Sequence, residues 1–382
     1  MNNNEITLSN TIKYLRFPLT VGIILAHSNL GRLGFVVHGV QYGLNYPDWY
    51  FYFSILFSEA LACFCVPTFF VVSGYLFFYK TDFDGNTYCK KLKKRFKTLM
   101  IPYLLWNLIA VLIMVVKMLP IFHSLFHNMD NIEFRFSFIR LFHTFFYDDH
   151  TNGLFIDHLI MVKSMSPLPA NGPMWYVRDL MVLILFTPII YWLIKKLKFW
   201  FIIGLTVYLY VFGHSLLPEG NYISILIDYL FFFSWGAYYS INKHNLIDQM
   251  RKIKYAAYLF IPALIAYLWT VDTEYNRYIF LPYIIIGIIF VFVVTSYLFE
   301  KGKIHVNNTL SNCSFFVFAL HSLILSDLGK LLFMGCQLND TPLVLLFLYI
   351  AIPTITILIC IFLYKLLNKY MPTICSLLTG GR

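Results

Sequence analysis

The sequence predicts an all-α integral membrane protein with about ten transmembrane helices. Of its 382 residues, 59% are hydrophobic and only 13% are charged, which is outside the usual composition of soluble globular domains. The apolar residues fall in separate runs, and several runs approach the ~20 residues that a helix needs to cross a bilayer. The lysines and arginines are concentrated in the short segments between those runs, which indicates a fixed orientation in the membrane.

The apolar runs also give the predicted topology. Their number is even, so both termini lie on the same side, and with the termini inside, roughly three-quarters of the 29 basic residues are inside. We therefore expect cytoplasmic termini. The net charge of +10 does not predict a nucleic-acid partner, because it is spread over these segments. The runs cover residues 14–31, 57–79, 98–119, 174–194, 199–217, 222–241, 255–271, 278–299, 310–329 and 342–364.

A single domain over residues 1–382 is predicted, with its longest outer loop at about 120–172 and a C-terminal tail at about 366–382. The loop is rich in histidine, and His123 and His127 have a spacing that suits a metal ion. Its aromatic, amphipathic pieces favour an interfacial segment instead, so no metal site is predicted. The seven cysteines form no paired framework and are interpreted as small hydrophobic residues.

The first apolar run carries two ionisable residues, Arg16 and His27. They are eleven positions apart, or ~16 Å along a helix axis, and this is about half of the ~30 Å hydrocarbon thickness. A group at that depth is costly and is a candidate functional residue. Two ordinary explanations stay open. Arg16 can extend to the headgroups from a helix end, and His27 can hydrogen-bond between helices.

Two further segments carry polar groups. In the second run, Ser73 and Gly74 would let helix backbones approach closely, for packing or for a polar contact. Before the third run, six of eight residues from Lys90 are basic, including Lys94, Arg95 and Lys97. This cluster is explained either as an anchor on anionic lipid or as a cytoplasmic cradle for a polyphosphorylated ligand.

The fourth and ninth runs complete the set of candidates. Trp175 suits the outer interface, and Arg178 lies ~8 Å below the outer entrance, where it would pair with a carboxylate of another helix or contact substrate. Its neighbour Asp179 is not expected to face it. His321 lies ~16 Å along the ninth run, at a depth similar to that of His27.

These segments resemble the acyltransferase-3 family of integral-membrane O-acyltransferases, which includes bacterial glycan O-acetylases. The similarity covers nearly the whole chain and consists of five features in the family's order. They are the Arg16 and His27 pair, PTFFVVSGYLF, KKRFKTLMIPY, PMWYVRDL and FFVFALHSL.

The resemblance implies transfer of an acyl group, usually acetyl, from cytoplasmic acyl-CoA to a hydroxyl of a saccharide or lipid-linked glycan. It also implies a bacterial cytoplasmic (inner) membrane location and no permanently bound cofactor. By position, Arg16 and His27 match the family's essential pair. The basic cluster falls at an arginine-rich motif, although only one of its residues here is arginine. Trp175, Arg178 and His321 match recurrent family positions.

We expect His27 to act as the general base that takes the proton of the acceptor hydroxyl, and Arg16 to anchor the donor. The sequence leaves open whether the acyl group moves directly or through an acylated His27. The alternative function is a transporter or exporter of a glycan or lipid-linked intermediate. No internal repeat of the kind seen in many transporters is visible.

Overall fold

The computed structural model describes residues 3–28, 35–37, 40–42, 47–117, 169–211, 222–335 and 341–381. Within these ranges the chain is helical, as predicted, apart from one short antiparallel hairpin. Its strands are β1 (Phe35–Val37) and β2 (Val40–Tyr42), and Val37 pairs with Val40. Nearly all of the predicted outer loop at 120–172, including its histidines, lies outside the described residues.

The fifteen described helices, numbered in chain order, have the following bounds. They are α1 (Asn3–Ala26), α2 (Asp48–Ile55), α3 (Cys65–Phe78), α4 (Gly85–Arg95), α5 (Ile101–Lys117), α6 (Trp175–Leu185), α7 (Thr187–Leu197), α8 (Phe199–Val211), α9 (Tyr222–Ile241), α10 (Leu246–Lys252), α11 (Phe260–Thr270), α12 (Asn276–Glu300), α13 (Asn308–Gly335), α14 (Pro342–Tyr370) and α15 (Pro372–Thr379). Wider π-helical turns at Leu56–Ala60 and Phe96–Met100 follow α2 and α4, and 3₁₀ turns at Gly172–Met174 and Lys254–Leu259 precede α6 and α11.

Fewer helices than expected are long and apolar enough to cross a membrane. By length and composition, the described residues contain five such spans, or up to seven if two bent helix pairs each count as one. The expected number of about ten is therefore not confirmed. The run at 14–31 is not among the spans, because α1 extends over a polar N-terminal part that lowers its hydropathy, and α8 has only 13 residues.

The chain divides into two compact units, each described here by itself. The first consists of Met1–Asn29, Pro47–Lys93 and Val182–Ser314, and the second of Leu30–Tyr46, Lys94–Met181 and Phe315–Arg382.

The first unit is built on a close crossing of α3 and α9. A Cβ atom added to Gly74 would lie 2.0 Å from the carbonyl oxygen of Phe233, and one added to Gly236 would lie 1.9 Å from that of Val71. Only glycine fits at two positions where backbones meet in this way, as in small-residue contacts between membrane helices. The close approach predicted at Gly74 is confirmed.

The second unit packs α5 against α13 and α15. The indole nitrogen of Trp106 donates a hydrogen bond to the carbonyl oxygen of Leu378 at 3.0 Å, and its ring meets that of Phe316 edge to face at 5.2 Å. The predicted C-terminal tail is thus not a free tail. Residues from 366 onwards complete α14 and form α15, which docks because Cys375 and Leu378 are buried.

Candidate active site

The structure changes the positions expected for Arg16 and His27. Because α1 begins at Asn3 rather than near residue 14, the half-buried Arg16 lies in the middle of the helix and not at its mouth. His27 comes directly after Ala26, the last residue of α1, and its side chain is exposed. The structure thus places His27 at the end of α1 and not within a helix, while its depth in the membrane and its proposed role stay predictions.

The turn that carries His27 is held by two buried serines. Ser28 donates a hydrogen bond to the carbonyl oxygen of Ile24 at 2.7 Å, and Ser58 donates one to that of Leu25 at 2.6 Å. Ser58 belongs to the π-helical turn after α2, whose Ala60 accepts a hydrogen bond from the Tyr283 hydroxyl at 2.7 Å. A catalytic group gains from fixed support of this kind. Ser73 lies in the same unit, half-buried beside the Gly74 crossing.

Of the three predicted cradle residues Lys94, Arg95 and Lys97, only Arg95 is drawn into the protein. Lys94 and Lys97 are exposed, whereas Arg95 is half-buried. Arg95 ends α4, and the π-helical turn Phe96–Met100 follows it. Such turns are frequent at functional sites.

A hydrogen-bond network of Asn107, Asn171 and Ser322, here called the clasp, joins three elements of the second unit. The backbone N–H of Asn171 donates to the side-chain oxygen of Asn107 at 2.9 Å, and the Asn171 amide donates to the carbonyl oxygen of Ala319 at 2.8 Å. The Ser322 hydroxyl donates to the Asn171 side-chain oxygen at 2.9 Å. Both asparagines are fully buried, so this network fixes the start of the PMWYVRDL segment against α5 and α13.

Sequence reasoning missed the asparagines of this clasp. The signal was present, because Asn107 interrupts an apolar run and Asn171 stands directly before the 3₁₀ turn that opens α6. A buried amide in a membrane helix needs partners.

Arg178 and Asp179 form an ion pair, contrary to the expectation that adjacent helical residues do not face each other. The guanidinium Nε of Arg178 donates to a carboxylate oxygen of Asp179 at 2.9 Å, and both side chains are buried. Adjacent residues of a helix point in different directions, but the arginine side chain is long enough to fold back and reach the carboxylate of its neighbour. A buried charge of this kind requires such pairing.

His321 is fully buried in α13, and one ring nitrogen has a defined state. Its Nδ1 lies 2.6 Å from the carbonyl oxygen of Phe318. A carbonyl only accepts, so Nδ1 must carry the proton and the lone pair of the neutral ring lies on Nε2. Phe318 also contacts Tyr176 edge to face at 6.0 Å. Nε2 is therefore the atom that can act as base or accept a hydrogen bond from substrate.

The candidate residues thus fall into two groups. Arg16, His27 and Ser73 belong to the first unit. Lys94, Arg95, Lys97, Trp175, Arg178 and His321 belong to the second, where Trp175 is half-buried at the start of α6. No group of three potential metal ligands is present among the residues that the structure describes.

Comparison with known proteins finds similarity over nearly the whole chain. A family model described as an acyltransferase domain, acyltransferase 3, matches residues 10–365. The "Succinoglycan biosynthesis protein ExoH" of Rhizobium meliloti (strain 1021) is 25% identical over 386 aligned positions, which cover 99% of this chain and 94% of that protein. No solved structure matches the chain.

Proposed function

The chain belongs to the acyltransferase-3 family of membrane O-acyltransferases, and we propose that it transfers an acetyl group from cytoplasmic acyl-CoA to a hydroxyl of a polysaccharide or its lipid-linked precursor. The observation that carries the proposal is the family match over residues 10–365, which includes all five sequence features. The relative named for succinoglycan biosynthesis supports a polysaccharide acceptor. Family membership favours this enzyme over a transporter of the same glycan.

The proposed reaction needs a base and a donor anchor. The acceptor hydroxyl attacks the thioester carbonyl while a neutral imidazole takes its proton, and the intermediate then collapses to an ester. The departing CoA thiolate takes the proton back, which leaves the imidazole neutral. General-base assistance of this kind contributes ~10²–10⁴-fold to the rate. We assign the base to His27, because its turn is fixed by Ser28 and Ser58.

The second unit would orient the substrates. Arg95 and the exposed Lys94 and Lys97 would supply positive charge that attracts the anionic donor. The acceptor would meet Trp175, a ring that suits a sugar face, and the Nε2 atom of His321. Arg178, which is paired with Asp179, would contribute positive charge to the acceptor site. In the first unit, the hydroxyl of Ser73 would contribute to binding of the donor. A cytoplasmic membrane location follows from the source of acyl-CoA.

The assignment of His27 is tested by substitution in purified protein reconstituted into liposomes. With radiolabelled acetyl-CoA and a candidate polysaccharide, His27→Ala should lower the transfer rate at least ~10²-fold, because the base is lost. His305→Ala is the matched control, since His305 is an exposed histidine of a connecting segment. Near-normal transfer by His27→Ala would overturn this assignment, and label that never leaves CoA in the wild type would overturn the function.

The role of Arg16 is tested through the Michaelis constant. Arg16→Ala should raise the KM for acetyl-CoA by roughly tenfold with little change in kcat, because a charge-assisted contact to the donor is lost. Arg16→Lys should recover part of the affinity, since it keeps the charge but not the planar geometry. An unchanged KM in Arg16→Ala would mean that Arg16 does not bind the donor.

A further inference from the structure

The first unit contains a cavity of about 490 Å³ that none of the roles assigned above uses. It lies where α1 begins and where α3, α7 and α9 end, so four elements contribute to its wall. Its size is within the range of small-molecule sites. The residues that carry the argument are Lys80, Phe83, Tyr191, Lys195, Ser240 and Lys243.

One wall of the cavity is aromatic. The rings of Phe83 and Tyr191 have centroids 4.9 Å apart, and Tyr191 is stacked on Phe78 at 6.0 Å with an angle of 22° between the rings. Rings grouped in this way offer a face on which a planar heterocycle stacks, and such stacking is common in the recognition of nucleobases.

Two of the three lysines in the lining are paired with carboxylates, and the third lies beside the aromatic wall. Lys80 pairs with Glu5 at 2.7 Å, and Lys243 pairs with Asp82 at 3.5 Å. Among the residues that the structure describes, no carboxylate pairs with Lys195. Its ammonium instead lies 5.8 Å from the centroid of the Tyr191 ring. The excess positive charge of the cavity is thus located beside its aromatic wall.

The lining also contains a buried hydroxyl that a ligand could engage. Ser240 is only 8% exposed, lines the cavity, and its Oγ atom has no hydrogen-bond partner in the described structure. A buried hydroxyl without a partner is uncommon. In addition, Lys80 and Lys243 have left-handed backbones, with φ of 52° and 59°. Both lysines follow shortly after the ends of α3 and α9, where the chain turns at the rim of the cavity.

We propose that this cavity binds the adenine nucleotide end of the acyl-CoA donor, with the base stacked on Tyr191 and Phe83, a phosphate on Lys195 and a hydrogen bond from Ser240. This rests on the proposed function, because the donor is the nucleotide that the reaction supplies. Lys80 and Lys243 complete the rim. Arg16 and His27 follow further along α1, the helix whose first turns reach the cavity at Glu5. The nucleotide and the thioester would therefore both lie along one helix.

The test uses the full-length protein in nanodiscs and measures binding of adenosine 3′,5′-bisphosphate by calorimetry. Lys195→Ala should weaken binding by roughly tenfold, the effect expected for one charge-assisted hydrogen bond. Lys196→Ala is the matched control, because Lys196 is the next residue of α7, lies over the Trp192 ring at 4.8 Å, and is not part of the lining. Tyr191→Leu should weaken the bisphosphate but not inorganic pyrophosphate, which has no ring to stack.

The outcomes separate this proposal from the proposed function. If the protein transfers acetyl groups and Lys195→Ala leaves both bisphosphate affinity and the KM for acetyl-CoA unchanged, the cavity is not the nucleotide site, although the function stands. If wild type binds pyrophosphate or anionic lipid headgroups with the same affinity as the bisphosphate, the aromatic wall is not used and the proposal fails. If Lys195 controls bisphosphate binding but no acetyl transfer occurs, the cavity assignment stands and the function fails.

Discussion

At the scale of single residues, the second unit depends on polar groups inside apolar helices. Asn107 and Asn171 are 64 positions apart in the chain, yet they meet through one hydrogen bond, and Asn171 has two partners on α13. Asn171 lies just before the helix that carries Trp175 and Arg178. The clasp therefore connects these candidate residues to the helix of His321.

Replacement of Asn171 by alanine should destabilise the protein. Asn171→Ala removes two side-chain hydrogen bonds, to Ala319 and from Ser322, and leaves buried groups without partners, at a cost of about 1–3 kcal/mol each in the free energy of unfolding. The measurement is thermal unfolding in detergent. Asn242→Ala is the control, because its amide makes a comparable bond to Tyr238 but is exposed. Equal losses in both variants would contradict the structural role of the clasp.

At the scale of elements, the C-terminal helix α15 packs against the turn that follows the basic segment. Gly380 follows α15 with φ of 69°, and a Cβ atom there would lie 2.2 Å from the carbonyl oxygen of Thr98. Thr98 belongs to the π-helical turn directly after Arg95. Two separate reasons thus require glycine at this position. The docked α15 therefore packs against the turn that follows Arg95.

Two glycine substitutions separate the cost of a left-handed backbone conformation from the cost of a steric clash. Gly302→Ala introduces only an unfavourable left-handed conformation, because nothing lies within 4 Å of its Cβ position, and should cost about 1 kcal/mol. Gly380→Ala adds the clash with Thr98 and should cost about 1–3 kcal/mol more.

Chemical denaturation measures both losses, and donor kinetics give a second readout. Gly380→Ala should also raise the KM for acetyl-CoA, since the clash displaces the turn beside Arg95. If the two variants lose the same stability and keep the wild-type KM, the contact with Thr98 does not position the basic segment.

At the scale of the whole molecule, the predicted orientation can be tested with one native thiol. Cys89 is exposed near the start of α4, in the basic segment expected to face the cytoplasm. A membrane-impermeant maleimide should therefore label it in inside-out vesicles and not in right-side-out vesicles. Cys89→Ser is the control that subtracts labelling of every other cysteine. Labelling of Cys89 in right-side-out vesicles would place this segment, and the donor cradle proposed in it, on the outer side.

The sequence by itself determined the class of the protein, its family and most of its candidate residues. Hydropathy is a property of local composition, so apolar runs are visible without a structure. Gly74 also predicted a close helix contact, and the structure shows that α9 is the partner helix. Helix limits were less certain, because polar residues such as Asn3 can extend a helix beyond its apolar part. This moved Arg16 to the middle of α1 and His27 to its end.

Only the tertiary structure decided which polar groups meet. Hydrogen bonds between Asn107 and Asn171, or between Ser58 and Leu25, join segments far apart in sequence, and a spacing rule describes neighbours on one helix only. The pairing of Arg178 with Asp179 depends on how a long side chain folds back in a buried site. Packing in three dimensions also decides the docking of Gly380 on Thr98. The cavity around Lys195 likewise exists only because several helix ends pack together there.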